Sequence, residues 1–120
     1  MKISEDIKKF IEDNPVFIGS ATKEGLPNIT IIDGAKFLDN QRILIVDVQM
    51  TSCRDNLIAN PSCCLSIYNQ AMGIGYKTFG KANYLTEGEE FEMAQRNFKN
   101  QNLKAKGAIV VIVNNILKIQ

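Results

Sequence analysis

The 120-residue sequence contains no histidine, no tryptophan and only three cysteines. Because histidine is the commonest general base and metal ligand, its absence excludes a Ser-His-Asp or Cys-His nucleophile built from this chain alone. The cysteines are Cys53, Cys63 and Cys64. An odd number with two adjacent is a poor disulfide framework and a poor zinc-ligand pattern. The pattern favours reduced thiols in a cytoplasmic protein.

The sequence also lacks a run of basic residues and a long apolar segment. Its 14 basic and 13 acidic residues give a formal charge of +1, without the concentrated positive charge of a nucleic-acid binder. The longest apolar run, residues 108–113, has the length of a strand rather than of a bilayer span. The acidic pair Glu5-Asp6 near the start is unlike a signal peptide. We expect a cytoplasmic protein with no nucleic-acid or membrane partner.

The apolar patterning that is present predicts one mainly β domain covering residues 1–120. Helices are predicted over residues 4–13 and 51–59, and a third around Phe91, Ala94 and Phe98. The predicted strands cover residues 16–21, 27–32, 35–38, 42–48, 62–68, 76–84 and 108–119. Seven short strands with hairpin spacing predict a closed or partly closed antiparallel barrel with peripheral helices.

Two capping boxes are predicted from spacing. Ser52 with Asp55 would begin the second helix, and Thr86 with Glu89 would begin the third. In each box, the first side chain and the fourth satisfy one another's backbone amides.

Glycine and asparagine mark irregular backbone. Gly25 is expected to adopt positive φ in the turn of the first hairpin. Gly80 inside a strand indicates a bulge or a close backbone approach. Asn114-Asn115 predicts either a bulge in the last strand or a turn, and Asp33 before Gly34 is read as a turn residue.

Three strands carry apolar side chains on both faces: residues 42–48, 62–68 and 108–113. One small barrel has only one interior, and three short helices leave part of the outside uncovered. Burial against a second copy is the expected solution, with two-fold symmetry as its usual form. We therefore expect a homodimer.

The segment 46–57 runs from a strand end into a helix N-terminus. Unpaired backbone amides at such a terminus favour an anion. Thr51 and Ser52 add hydroxyl groups and Arg54 adds positive charge, which together suit a phosphate group. The simpler alternative is that Thr51 or Ser52 only caps the helix.

Three segments also resemble a known family when they are taken in order. The hairpin of residues 17–27 has a small-residue strand, an acidic-glycine turn and a proline. A strand, residues 50–52, a helix, Asn60-Pro61 and another strand follow, and then comes the glycine-containing strand 75–82. Over residues 10–119 this arrangement resembles the FMN-binding split-barrel superfamily of pyridoxamine 5'-phosphate oxidase-like proteins. Its layout is most similar to the small FMN-binding proteins of anaerobic bacteria.

The resemblance implies a six- to seven-stranded antiparallel split barrel that holds flavin mononucleotide (FMN) between two subunits. It places the phosphate at residues 51–53 and the flavin ring along the second strand and the end of the fourth. The region around residues 75–77 would contribute from the neighbouring subunit. The residues implied to bind the cofactor are Asn28, Thr30, Ile31, Ile32, Val46, Asp47, Met50, Thr51, Ser52, Cys53, Gly75 and Lys77.

The chain departs from the oxidase members at the phosphate. Those members carry basic residues at the positions of Ser52 and Cys53 and near Asp33, whereas this chain has only Arg54 nearby. The expected phosphate ligands are therefore hydroxyls, amides and one arginine.

Three functions fit this interpretation. The first is an FMN-dependent oxidoreductase or electron-transfer protein with a small-molecule electron donor or acceptor. The flavin supplies the redox chemistry, so the missing histidine does not count against it. The second is a non-catalytic dimer that binds flavin or another planar ligand, although a haem would need an axial ligand other than histidine. The third is a purely structural dimer.

Overall fold

The computed structural model describes residues 3–32, 34–97 and 104–119. The elements in chain order are α1 (Glu5–Asp13), β1 (Val16–Ala21), β2 (Pro27–Ile32), β3 (Ala35–Phe37), β4 (Arg42–Asp47), α2 (Ser52–Ala59), β5 (Ser62–Asn69), β6 (Ile74–Leu85), α3 (Glu89–Asn97) and β7 (Gly107–Ile119). The predicted mainly β class is confirmed. The interpretation of Asp33 and the apolar position Phe98 lie outside the described residues.

The seven strands form one sheet in the order β2-β1-β5-β6-β7-β4-β3. Every neighbouring pair is antiparallel. The sheet curls into a half barrel, and β2 at one edge comes close to β4 near the other. The last strand in sequence therefore lies inside the sheet, between β6 and β4. No helix among the described residues is long and apolar enough to span a bilayer.

The inner face of the curled sheet holds the main core. Alternate residues of the strands point inward, as the two-residue period of a strand requires. Its largest fully buried aliphatic side chains are Ile3, Ile11, Ile18, Ile43, Ile45, Leu65, Ile67 and Ile109. Burial of each contributes roughly 1.5–3 kcal/mol to folding.

The outer face of β4 and β7 is covered by α3. Leu44 and Val46 of β4, with Ala108 and Val110 of β7, pack with Ala94 of α3 into a second buried cluster. The two-sided apolar character of these two strands is therefore satisfied within one chain. It gives no reason for a dimer, which corrects that part of the sequence argument.

No helix in the described part of the chain covers the outer face of β1, β2, β5 and β6. Phe17, Ile29, Ile31, Phe79 and, on β7, Leu117 are exposed there by 40–69%. The register aligns them in rows across the sheet, with Ile31 opposite Phe17. We call this surface the bare face.

Neither predicted capping box forms. The N-cap of α2 is Thr51 rather than Ser52, and its side chain makes no capping hydrogen bond. Helix α3 begins at Glu89, three residues after Thr86, so Thr86 cannot be its N-cap.

The predicted irregularities of the strands do occur. Gly25 has φ of 96°. The register of β6 and β7 shifts between Phe79 and Gly80, so that Asn114 is an extra residue in β7. A Cβ atom on Gly80 would overlap the carbonyl oxygen of Ile112. The asparagine pair thus belongs to a bulge and not to a turn.

Candidate functional site

The turn between β4 and α2 is held by a buried carboxylate. Asp47 has no exposed surface, and its Oδ1 accepts a hydrogen bond from the Met50 amide at 2.8 Å. Its Oδ2 accepts from the Tyr84 hydroxyl. The Asp47 carbonyl accepts from the Lys106 amide at 2.7 Å. Asp47 therefore fixes the backbone that leads into α2, and both of its carboxylate oxygens are used within the chain.

The N-terminus of α2 is open to solvent and uncapped. Thr51 and Ser52 are both exposed. The first amide with a backbone partner is that of Asp55, which donates to the Thr51 carbonyl at 3.0 Å. Among the described residues, the amides of Ser52, Cys53 and Arg54 have no protein acceptor. Such amides, with the positive end of the helix dipole, form a site for an anion.

One cation lies on the first turn of this helix. The Nε of Arg54 is 3.4 Å from Oδ1 of the neighbouring Asp55, and the side chain is about one-third exposed, at 31%. This contact is long for a charge-assisted hydrogen bond. Arg54 can therefore turn toward an incoming anion at small cost.

A polar cluster lies beneath α2. The Asn56 Nδ2 donates to the Ser20 Oγ at 3.2 Å, and both residues are buried. Burial raises the pKa of the neighbouring Cys53 thiol, and the Ser20 hydroxyl opposes that rise. Asn28 lies opposite Ser20 in the β1–β2 register, and its buried Oδ1 has no hydrogen-bond partner among the residues that the structure describes. A buried acceptor without a donor is costly, so this atom is suited to a donor from outside the chain.

Two predicted ring-contact residues line one cavity. Ile32 at the end of β2 and Val46 near the end of β4 border a space of about 530 Å³ together with Leu44 and Ala94. Glu12 lies at its rim. The size is in the range of small-ligand pockets.

Asn28 borders a second cavity of about 550 Å³, whose lining includes Ile29 of the bare face. Gly19, Cys64 and Phe79 are also part of its wall. A Cβ atom on Gly19 would be 2.8 Å from the Cys64 sulfur. Glycine at this position therefore makes room for the Cys64 side chain.

The remaining predicted residues lie apart from these two cavities. Thr30 is half-buried and points to the same side of β2 as Asn28, whereas Ile31 points to the bare face. Gly75 pairs with Ile119, while Asp47 pairs with Gly107. The two pairs are at opposite ends of β7.

Lys77 is exposed and lies on the bare face, between Ser66 of β5 and Leu117 of β7. Gly75 is buried, and a Cβ atom there would be 2.7 Å from the Tyr68 ring. Within one chain, Gly75 and Lys77 are therefore not brought together with the start of α2.

Sequence reasoning missed Ser20, Asn56, Tyr84 and Gly107. The Tyr84 ring lies where a Cβ atom of Gly107 would be. Burial, followed by the hydrogen bond to Asp47, raises the pKa of the Tyr84 hydroxyl, which keeps it protonated as a donor. Two features could have pointed to this site. Ser20 is a polar residue at an inward position of β1, and Gly107 lies at the start of β7, opposite the end of β4.

This geometry defines the class of protein: an antiparallel split barrel whose fourth strand leads into a helix with unpaired amides at its described N-terminus. The family described as pyridoxamine 5'-phosphate oxidase matches residues 3–119. The chain belongs to that family.

Individual relatives agree with this assignment. An uncharacterised protein of Methanocaldococcus jannaschii, MJ0282, is 32% identical over 124 residues, which cover all of this chain and 83% of the relative. HupZ of Group A Streptococcus superposes with a TM-score of 0.91 at 20% identity, covering 98% of this chain and 94% of HupZ. An FMN-binding protein of Syntrophomonas wolfei superposes with a TM-score of 0.78 at 15% identity, covering 96% and 80%. At these identities, the two structures show a shared fold.

Proposed function

We propose that this chain is a homodimeric FMN-binding protein that acts as a flavin-dependent oxidoreductase or electron-transfer protein. The observation that carries the proposal is the uncapped N-terminus of α2, which offers unpaired amides and two exposed hydroxyls directly after the strand that lines the cavity of Ile32 and Val46. Membership of a flavin-binding family and the FMN-binding relative of the same fold support it.

The residues present fit the phosphate end of FMN. The amides of Ser52 and Cys53 can donate to phosphate oxygens, and the hydroxyls of Thr51 and Ser52 add two further donors. Arg54 supplies charge. The basic side chains that the oxidases place at Ser52 and Cys53 are missing, so backbone donors carry more of the binding than in those members.

The residues also fit the flavin ring and the ribityl chain of FMN. Ile32 and Val46 offer apolar walls for a planar ring. Asn28 borders the other cavity, where its Oδ1, which has no hydrogen-bond partner among the described residues, can accept from a ligand hydroxyl or N–H. The bound flavin supplies the electron and hydride transfer, and the chain supplies binding, orientation and exclusion of water.

The bare face supports a second copy as partner. Single exposed apolar residues are ordinary, but five in register across neighbouring strands form a patch of the kind that proteins bury in interfaces. Lys77 lies on this face and far from the start of α2 in its own chain. A dimer through the bare face would place Gly75 and Lys77 at the interface with the partner.

A non-catalytic flavin-binding dimer is the second candidate. Arg54 is the one cation on the described first turn of α2, and a weaker phosphate site suits a protein that stores or passes on its flavin. Reduction of the bound flavin, followed by reoxidation with an added small-molecule acceptor, separates the two functions. Turnover supports the oxidoreductase, and binding without turnover supports the store.

Ser52→Glu tests the phosphate position. We expect it to weaken FMN binding at least tenfold, about 1.4 kcal/mol or more, because a carboxylate would face the phosphate at close range. Riboflavin, which has the same ring and no phosphate, should bind both proteins equally. Flavin fluorescence titration measures both affinities.

Ser52→Gln is the matched control, since glutamine has the shape of glutamate without its charge. It should retain FMN far better than Ser52→Glu. Equal FMN affinities for the two variants, or wild-type protein that retains neither flavin after desalting, would overturn the proposed site.

A further inference from the structure

The start of α2 is positioned without local capping. Thr51 has φ of −123° and ψ of −77°, outside the extended region usual for an N-cap, and its hydroxyl makes no capping bond. The hydrogen bonds that hold the turn come from Asp47, which binds the Met50 amide one residue before the N-cap. The Asp47 carboxylate therefore helps to fix the backbone directly before the unpaired amides of α2.

Tyr84 in turn holds Asp47. Its hydroxyl donates to the carboxylate oxygen that Met50 does not use, and its ring occupies the space that the missing side chain of Gly107 leaves open. Gly107 pairs with Asp47 across β4 and β7. One tyrosine from β6 thus reaches across β7 to the end of β4.

We propose that Tyr84 is a positioning residue for the anion site, acting through Asp47 and the Met50 amide on the start of α2. Its role as an aid to FMN binding depends on the proposed function. Its role in holding the helix start does not.

Tyr84→Phe removes the hydroxyl and keeps the ring packing over Gly107, so the variant should fold. Tyr76→Phe is the control: it removes a hydroxyl from the other end of the same strand, where Tyr76 packs edge-on against Phe10. We expect Tyr84→Phe to lower FMN affinity at least fivefold and to leave riboflavin affinity unchanged. Tyr76→Phe should change neither.

Amide hydrogen exchange tests the same role without flavin. In Tyr84→Phe the hydrogen-bonded amides of Met50 and Asp55 should exchange at least fivefold faster than in wild type, while β5 stays protected. If wild type binds no FMN but this change in exchange occurs, the proposed function fails and the positioning role stands. Unchanged exchange at Met50, or equal loss of FMN and riboflavin affinity, would overturn the role of Tyr84.

Discussion

Asp39 is the residue whose ionisation is most clearly tied to the fold. Its Oδ1 accepts from the amides of Gln41 and Arg42 at 2.9 and 2.8 Å, and its Oδ2 accepts from the Arg42 guanidinium at 2.8 Å. These bonds, led by the Gln41 amide, lower the pKa of the carboxyl from 3.8 to about 2. The charged form is the one that the folded β3–β4 turn stabilises.

Asp39→Ala should therefore destabilise the protein at neutral pH. The contribution of Asp39 is fully present above pH 4, the range of its unfolded pKa, and is lost as the pH falls through about 2. Because the carboxylate is half exposed, we expect a difference below about 1 kcal/mol at pH 7. Urea unfolding at several pH values measures it. Glu24→Ala, in the β1–β2 turn, is the control, and a difference between wild type and Asp39→Ala that does not shrink between pH 4 and pH 2 would contradict the prediction.

At the same scale, the sequence predicted the helix that follows β4 but not how its first turn is held. The spacing of Ser52 and Asp55 satisfies the capping-box pattern, yet the N-cap of α2 is Thr51, one residue earlier than the pattern predicts. Other contacts override the capping-box pattern here, since Asp47 binds the Met50 amide three residues along the chain and Cys53 is buried in the core. The link from Tyr84 to Asp47 spans 37 positions, and no local pattern encodes a contact at that separation.

Among the elements, β6 and β7 depend on a bulge that tolerates only glycine. A Cβ atom on Gly80 would overlap the backbone carbonyl of Ile112, which no rotamer change can relieve. Gly80→Ala should therefore cost about 2 kcal/mol or more of unfolding free energy. Gly34→Ala is the control, because a Cβ atom there meets no described atom within 4 Å and should change stability by less than about 0.5 kcal/mol. Equal midpoints in urea would disprove the packing argument.

The sequence was sufficient to predict which helices and strands form, because each strand has alternating apolar residues and ends at turn residues. Seven strands and three helices occur where they were predicted, with small differences at their ends. The order of the strands in the sheet could not be predicted, since antiparallel pairing of β7 with both β4 and β6 depends on contacts far apart in the chain. The same limit left the choice between bulge and turn at Asn114-Asn115 open.

At the scale of the whole molecule, a single substitution can test whether the bare face is the dimer interface. Ile31 is 59% exposed and lies on the edge strand β2, opposite Phe17 of β1. In the proposed dimer, Ile31→Lys would bury an unpaired charge. We expect it to raise the dimer dissociation constant at least 100-fold, measured by sedimentation, with an unchanged circular dichroism spectrum.

Leu26→Lys is the control for the interface, since Leu26 is 69% exposed in the loop between β1 and β2 and not on the sheet. It should leave the association state as in wild type. An Ile31→Lys protein that stays dimeric would exclude the bare face, although FMN binding at α2 could still be tested separately.

The sequence predicted the dimer partly from the wrong strands. Apolar residues on both faces of β4 and β7 suggested an uncovered surface. In the structure, α3 packs over the outer positions of these strands, where Leu44, Val46 and Val110 are buried. Periodicity identifies an apolar face without identifying the element that covers it. Only the folded arrangement places the uncovered area on β1, β2, β5 and β6.

The position of β7 inside the sheet has a consequence for how the protein is made. Until residues 107–119 leave the ribosome, the strands can form only two separate pieces, β2-β1-β5-β6 and β4-β3. Each piece would expose an unpaired edge with apolar residues on its inner face. Folding during synthesis is therefore delayed until the last strand emerges, and a nascent chain stalled before that point should be a substrate for chaperones and proteases.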